Sequence, residues 1–170
     1  YFKKTKGCKI EGVDGKDYID LSIMGIGTNL LGYSNTSVDK AVTNVVRQGN
    51  MSTLNCKEEV DLAKRLIELH PWAGKVRFAR SGGEANAISI RLARAYTGRS
   101  KVAFCGYHGW HDWYLSANLQ KKSNLDNHLL QGLNVSGVPK KLTGTTYTFN
   151  YNDIDGLKKL IKEKNIGIIK

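Results

Sequence analysis

The stretch VRFARSGGEANAISIRLARAYTG, residues 76–98, decides the fold. It joins a short apolar run to an amphipathic segment through the adjacent glycines Gly82 and Gly83. This order predicts a strand that leads directly into a helix. A second alternating run, KVAFC at 101–105, follows the helix, so the sequence predicts a right-handed βαβ unit over residues 75–105.

The parts of this unit have predicted bounds. KVRFA at 75–79 is the first strand, and the helix begins within a residue or two of Gly83 and ends near Gly98. The helical period predicts an apolar face of Ala85, Ile88, Leu92 and Ala95, with Arg91 and Arg94 turned outward.

Elements on either side of the unit extend the same pattern. CKIEGVDGKDYIDL predicts a β-hairpin around Asp14 and Gly15. Further predicted elements are a helix capped by Ser37 and closed by Gly49, a helix from Asn55, a strand at TYTFNY, a helix from Asn152 or Asp153 to Lys164, and a final strand at Ile166. The repeated strand–helix–strand order is typical of the α/β class with a mostly parallel sheet flanked by helices.

Composition excludes several classes of protein. The chain has 170 residues and 41% hydrophobic residues, which suits one globular domain. It contains no apolar run of about 18 residues, and its three cysteines form no C-x-x-C pair. We therefore expect no membrane span and a cytoplasmic location. The start at Tyr1 and the end within the strand-like run NIGIIK favour a fragment of a longer protein.

The formal net charge of +11 raises the possibility of a nucleic-acid partner. The lysines are scattered along the chain, however, and no basic stripe alternates with aromatic residues. The sequence therefore predicts no nucleic-acid partner.

The SGGE sequence at 81–84 has two readings. Glycines at a helix start let backbone N–H groups approach a ligand, and these groups with the helix dipole form an anion site. The same four residues also form a capping box, in which Ser81 and Glu84 satisfy free donors of an ordinary helix. These residues alone leave both readings open.

A second polar stretch, CGYHGWHDW, lies at the carboxyl end of the next predicted strand. Ligands of open parallel sheets bind at this edge, so we expect both stretches to reach one ligand. His108, His111 and Asp112 are compatible with a metal, but no further ligand cluster supports one and we predict none. An anion site beside the aromatic Tyr107 suits a phosphorylated planar cofactor better.

These residues carry a family resemblance. The segment VRFARSGGEANAISIRLARAYTGRSKVAFCGYHGWHDWY resembles the first half of class III pyridoxal-phosphate (PLP) aminotransferases, the family that includes glutamate-1-semialdehyde 2,1-aminomutase. GVDGKDYIDL, LGYSNTSVDKAV, EEVDLAKRLIELHP and FNYNDIDGLKKLI extend the resemblance over nearly the whole chain. It implies PLP as cofactor and the fold type I (aspartate aminotransferase-like) architecture, with residues 1–45 in the small domain and 46–170 in the first half of the large PLP-binding domain.

The resemblance also implies roles for individual residues. The cofactor phosphate would lie at Ser81, Gly82 and Gly83, held by the backbone N–H groups of the two glycines. Gly83 replaces the hydroxyl residue that the family usually has there. Tyr107 would stack on the pyridine ring, with His108 as a supporting hydrogen-bonding residue and Gly109 as the turn that permits the approach.

The same resemblance implies an enzyme whose partners are a small-molecule amino donor and acceptor. The family's Schiff-base lysine and the acid that pairs with the pyridine nitrogen would lie beyond Lys170, so the catalytic lysine is unknown and this chain alone would be inactive. The family builds each active site at a dimer interface, so the resemblance predicts poorly supported segments at 25–33 and 116–141. It also predicts exposed apolar surface where the missing half of the protein and the partner subunit would pack. Two alternatives remain: an aminotransferase acting on a sugar or polysaccharide precursor, and a basic module that binds polyanions.

Overall fold

The fold is described from a computed structural model of residues 1–170. The chain divides into two units, Tyr1–Val76 and Arg77–Lys170. No helix is long and apolar enough to cross a lipid bilayer. The predicted division at residue 45/46 concerns the whole protein and stays a prediction.

The first unit contains a three-stranded antiparallel sheet and two helices. Its elements are β1 (Phe2–Lys6), β2 (Lys9–Gly12), β3 (Asp17–Ile19), α1 (Thr36–Gln48) and α2 (Lys57–Leu69). The predicted hairpin is confirmed, since β2 and β3 pair antiparallel around the Asp14–Gly15 turn. Asn35 caps α1, and its side chain accepts from the N–H of Ser37, so the predicted cap at Ser37 is wrong. Cys56 precedes α2 without a side-chain cap, so the predicted Asn55 start is also wrong.

The first unit exposes much apolar surface, as predicted. Neither α1 nor α2 has a fully buried residue. In the segment 25–33, Ile26 and Leu30 are 84% and 86% exposed. The first unit therefore carries more exposed apolar surface than single scattered residues would give.

The second unit contains a parallel sheet with helices. Its elements are α3 (Gly82–Thr97), β4 (Val102–Phe104), α4 (Asp112–Leu115), β5 (Thr146–Thr148), α5 (Ile154–Lys164) and β6 (Ile168–Ile169). The strand order is β5-β4-β6, and both pairings are parallel. The central strand β4 is completely buried, with Val102, Ala103 and Phe104 each at 0% exposure.

The predicted strand at 75–79 is wrong. These residues lie outside any strand, and none of their backbone groups bonds to a strand of the chain. An alternating apolar pattern indicates a strand, but a strand forms only where a neighbour accepts and donates its ladder hydrogen bonds. The predicted βαβ unit is therefore present only as its helix and second strand.

The predicted bounds of α3 are confirmed, while its predicted face is wrong. The helix begins at Gly82 after the N-cap Ser81 and ends at Gly98, which adopts the left-handed conformation with φ 65°. Ile90 is buried, and Ala87 and Ala93 pack against the same core, whereas Leu92 is 60% exposed. The buried face differs from the predicted one because the contact of α3 with β6 and the central core selects it.

The expectation that 116–141 is poorly supported is also wrong. Ser116, Ala117, Asn118, Leu125, His128 and Val138 are all buried. Asn118 explains much of this order, because its amide donates to the Leu133 carbonyl at 3.1 Å and its oxygen accepts from the N–H of Leu125 at 2.9 Å. This segment therefore folds onto β4 and completes the core of the second unit.

Candidate functional site

The start of α3 combines a capped turn with two free donors. The Ser81 hydroxyl accepts from the Glu84 N–H at 3.2 Å, and the Glu84 carboxylate accepts from the Arg80 N–H at 2.8 Å. No protein group accepts the N–H of Gly82 or Gly83. The capping interaction is confirmed, because Ser81 and Glu84 satisfy the N–H groups of Glu84 and Arg80. The two glycine N–H groups stay free at the positive end of the helix dipole, and an anion site there stays a prediction.

The loop that follows β4 is held in place near its start, at Gly106. Gly106 adopts φ 82°, its N–H donates to His128 Nδ1 at 3.1 Å, and its carbonyl accepts from the Tyr114 hydroxyl at 3.4 Å. Tyr114 is fully buried, and that burial raises the pKa of Tyr114 to about 12. The phenol therefore stays protonated and acts as a donor throughout the physiological range.

Tyr107 presents an aromatic ring beside this anchor. Its ring meets that of Tyr114 edge-to-face, with centroids 5.8 Å apart and planes at 83°. The residue is 36% exposed, so part of the ring remains accessible to a ligand. A ring held on one side and accessible on another can stack against a planar group.

His108 holds the loop together from within. Its Nε2 lies 2.8 Å from the Cys105 carbonyl, which requires the proton on that nitrogen. Burial lowers the pKa of His108. The His108 carbonyl accepts from the Asn86 side-chain amide at 3.2 Å, and this bond ties the loop to α3. These bonds hold the loop in place, and a role of His108 beside a cofactor stays a prediction.

Gly109 brings the loop backbone against the helix start. It adopts φ 94°, and a Cβ atom built on it would lie 3.2 Å from the Cα of Gly83. A Cβ on Gly83 would lie 2.5 Å from Cε1 and 2.8 Å from Nδ1 of His111. Gly109 therefore favours glycine because of its positive φ and the close backbone, whereas a side chain at position 83 would have to displace the ring of His111.

An open groove of about 340 Å³ unites the two stretches. All six predicted cofactor-binding residues line it, joined by three others. The lining residues are Ser81, Gly82, Gly83, Asn86, Tyr107, His108, Gly109, Trp110 and His111. The structure thus brings the two predicted stretches to one groove, and no lysine or carboxylate lines it.

Sequence reasoning missed two parts of this site. It considered His111 only as a possible metal ligand and did not connect its ring with Gly83, whose Cβ position the ring occupies. It also missed His128, which lies 22 residues beyond Gly106 and belongs to no motif. One feature of the sequence could have indicated the position of His111. Gly83 stands where the family usually has a hydroxyl residue, which leaves space beside the helix start for another side chain.

The fold and the groove define an α/β protein in which free backbone donors and an aromatic ring line one groove. The sequence pattern of the family described as "Aminotransferase class-III" matches residues 1–166. The chain belongs to this family of PLP-dependent aminotransferases and aminomutases.

Individual relatives agree with this assignment. The chain is 35% identical to 3-aminobutyryl-CoA aminotransferase of Cloacimonas acidaminovorans (strain Evry), over 99% of this chain and 37% of that protein. It is 35% identical to glutamate-1-semialdehyde 2,1-aminomutase of Sulfolobus acidocaldarius, over 99% of this chain and 40% of that protein. A transaminase solved with PLP bound superposes with a TM-score of 0.85 and 26% identity, over 100% of this chain and 40% of that chain.

The matched relatives are much longer than this chain. The chain spans about two fifths of the length of the curated relatives it matches. The fold type I assignment rests on the structural neighbours, which are PLP-dependent transaminases and an aminomutase. The activity, substrate and assembly of the whole protein are therefore matters of proposal.

Proposed function

We propose that this chain supplies the phosphate site and the ring platform of a class III aminotransferase or aminomutase that moves an amino group with the help of PLP. The observation that carries the proposal is the pair of unpartnered N–H groups on Gly82 and Gly83, which share one groove with Tyr107. The phosphate dianion suits these donors and the helix dipole behind them. The pyridine ring suits the accessible side of Tyr107.

Each predicted residue has a task in this proposal. Gly82 and Gly83 donate to the phosphate, and Ser81 keeps the first turn of α3 in helical geometry. Tyr107 orients the ring by stacking, while His108 fixes the loop through its bond to Cys105. Gly109 permits the close approach of the loop to the helix start. When bound, PLP supplies the electron sink that amino-group transfer requires.

The lysine that holds PLP is proposed to lie outside residues 1–170. No lysine lines the groove, and Lys170, which ends the chain after β6, donates to the Ser89 hydroxyl at 3.1 Å. The chain alone would therefore bind PLP without performing transfer, because the nucleophile must come from elsewhere in the whole protein. Addition of one equivalent of PLP to residues 1–170, followed by borohydride reduction and mass spectrometry, should label no single lysine stoichiometrically, because exposed lysines react with the aldehyde only weakly and without selectivity.

The partners and location are proposed from the same observations. The exposed apolar residues of the first unit would be covered by the rest of the whole protein and by a second copy in a homodimer, which is the assembly that the family resemblance implies. The substrates would be a small-molecule amino donor and acceptor. The three cysteines Cys8, Cys56 and Cys105 are free, which favours a reducing, cytoplasmic compartment.

The activity is tested with the full-length protein. A panel of amino donors and acceptors should include the substrates named for the relatives, 3-aminobutyryl-CoA and glutamate-1-semialdehyde, and a set of keto sugars. Loss of the cofactor's visible absorbance on addition of a donor, and its return on addition of an acceptor, would identify the aminotransferase reaction. Conversion of glutamate-1-semialdehyde without a second substrate would identify the aminomutase. Failure to retain PLP during dialysis would contradict the proposal.

A further inference from the structure

The imidazole of His111 occupies the space in which a side chain on Gly83 would lie. Its Cε1 and Nδ1 atoms lie 2.5 and 2.8 Å from the position of a Cβ on Gly83. Both residues line the groove that contains the free N–H groups of Gly82 and Gly83. His111 therefore lies where a hydroxyl side chain at position 83 would reach an anion.

The ring of His111 has no other task in the protein. Its backbone carbonyl accepts from the N–H groups of Tyr114 and Leu115 at the start of α4. Neither ring nitrogen bonds to a protein group, and no cap interaction of the side chain occurs in α4. An imidazole carries at least one N–H donor in either charge state, so this ring holds an unused donor beside the two unused backbone donors.

We propose that His111 donates a hydrogen bond to the phosphate of the cofactor and replaces the side-chain donor that Gly83 lacks. This inference rests on the proposed function, because it assigns a third ligand to the same phosphate. Gly83 and His111 then form an exchange pair, since a side chain at position 83 and the ring at its present position exclude each other. Gly83 makes room for the ring, and the ring supplies the donor.

A competing explanation is that the ring only fills space. In that case any flat side chain of similar size at position 111 would serve, and the phosphate would bind equally well. His111→Phe keeps the volume and removes the donor, whereas His111→Asn keeps a donor with less volume. His111 is exposed, so these changes leave the core of the second unit intact.

The experiment uses the full-length protein and measures the dissociation constants of PLP and of pyridoxal, which lacks the phosphate, by fluorescence titration. His111→Ala and His111→Phe should each weaken PLP binding by about 10-fold or more, the size expected for one hydrogen bond to a charged group. Both should leave pyridoxal binding within about twofold. His111→Asn should retain most of the affinity for PLP. The ³¹P chemical shift of bound PLP should move in the first two variants.

Substitutions at both Gly83 and His111 provide a second, independent test of the proposal. Gly83→Thr should weaken PLP binding when His111 is present, because the new Cβ meets the ring. The same substitution combined with His111→Ala should restore binding to within about threefold of the parent protein, a coupling that additive effects do not produce. Circular dichroism of each variant checks that the fold is retained.

The outcomes separate this inference from the proposed function. If the parent protein binds PLP no better than pyridoxal, the phosphate site itself is wrong. If the parent prefers PLP and His111→Phe binds it equally well, the site stands and the donor role of His111 is overturned. Equal weakening of PLP binding and pyridoxal binding in His111→Ala would also overturn the donor role. The ring would then support the conformation of the loop and not the phosphate alone.

Discussion

The backbone N–H of Gly106 donates to Nδ1 of His128 across 3.1 Å, although the two residues lie 22 positions apart. This bond holds the backbone of the loop directly before Tyr107. His128 is 6% exposed, and burial lowers its pKa, with the nearby His108 acting in the same direction. A neutral His128 is required, because only an unprotonated Nδ1 accepts the bond.

This arrangement predicts an acid-sensitive fold. The pKa values of His128 and His108 are lowered in the folded state, so below the unfolded-state value of about 6.5 the unfolded chain binds more protons. The stabilising contribution is therefore complete above about pH 6.5 and is lost as the pH falls through the folded-state pKa values. Urea denaturation between pH 7.5 and 5 should show a decreasing free energy of unfolding.

A matched pair of variants tests whether His128 causes this pH dependence of the free energy of unfolding. His128→Gln should reduce the slope of stability against pH, because one of the two imidazoles with a lowered pKa is removed. His70→Gln, which removes an exposed imidazole, should leave the slope unchanged. Identical slopes in His128→Gln and the parent protein would contradict the prediction.

Gly109→Ala should destabilise the folded protein by about 1–2 kcal/mol, since an alanine resists positive φ. Its Cβ would also lie 3.2 Å from the Cα of Gly83. Gly82→Ala is the control, because a Cβ there meets nothing within 4 Å. Chemical denaturation without cofactor measures both, and equal stability of the two variants would refute the close approach.

Tyr107→Ala should weaken PLP binding by about fivefold, whereas Tyr107→Phe should stay within about twofold, because stacking needs the ring and not the hydroxyl. The dissociation constants are measured by fluorescence titration of the full-length protein. Equal losses in the two variants would assign the effect to the hydroxyl and contradict the stacking role.

Asn35→Ala should destabilise α1 by about 1 kcal/mol, since its side chain accepts from the N–H groups of Ser37 and Val38. Ser37→Ala should cost much less, because its hydroxyl caps nothing in the structure. Thermal unfolding of both variants gives the comparison. A larger loss of stability in Ser37→Ala than in Asn35→Ala would show that Ser37 is the N-cap, as the sequence alone predicted.

The sequence by itself determined the features whose causes are local. Ser81 and Gly98 bound α3 because a capping side chain and a left-handed glycine act within one turn of the helix ends. The turn at Asp14 and Gly15 forms the hairpin for the same reason. The family resemblance then pointed to the two stretches that line the groove, since long motifs in one order carry information that no single residue does.

Only the tertiary structure decided the features that depend on distant partners. The strand expected at 75–79 is absent because no other strand pairs with it. α3 buries Ile90 instead of the predicted face because the sheet and core select which side is covered. The contacts of His128 with Gly106 and of His111 with Gly83 join residues more than 20 positions apart. Such pairs form only when the chain folds, so neither the hydrophobic periodicity nor the spacing of motifs predicts them.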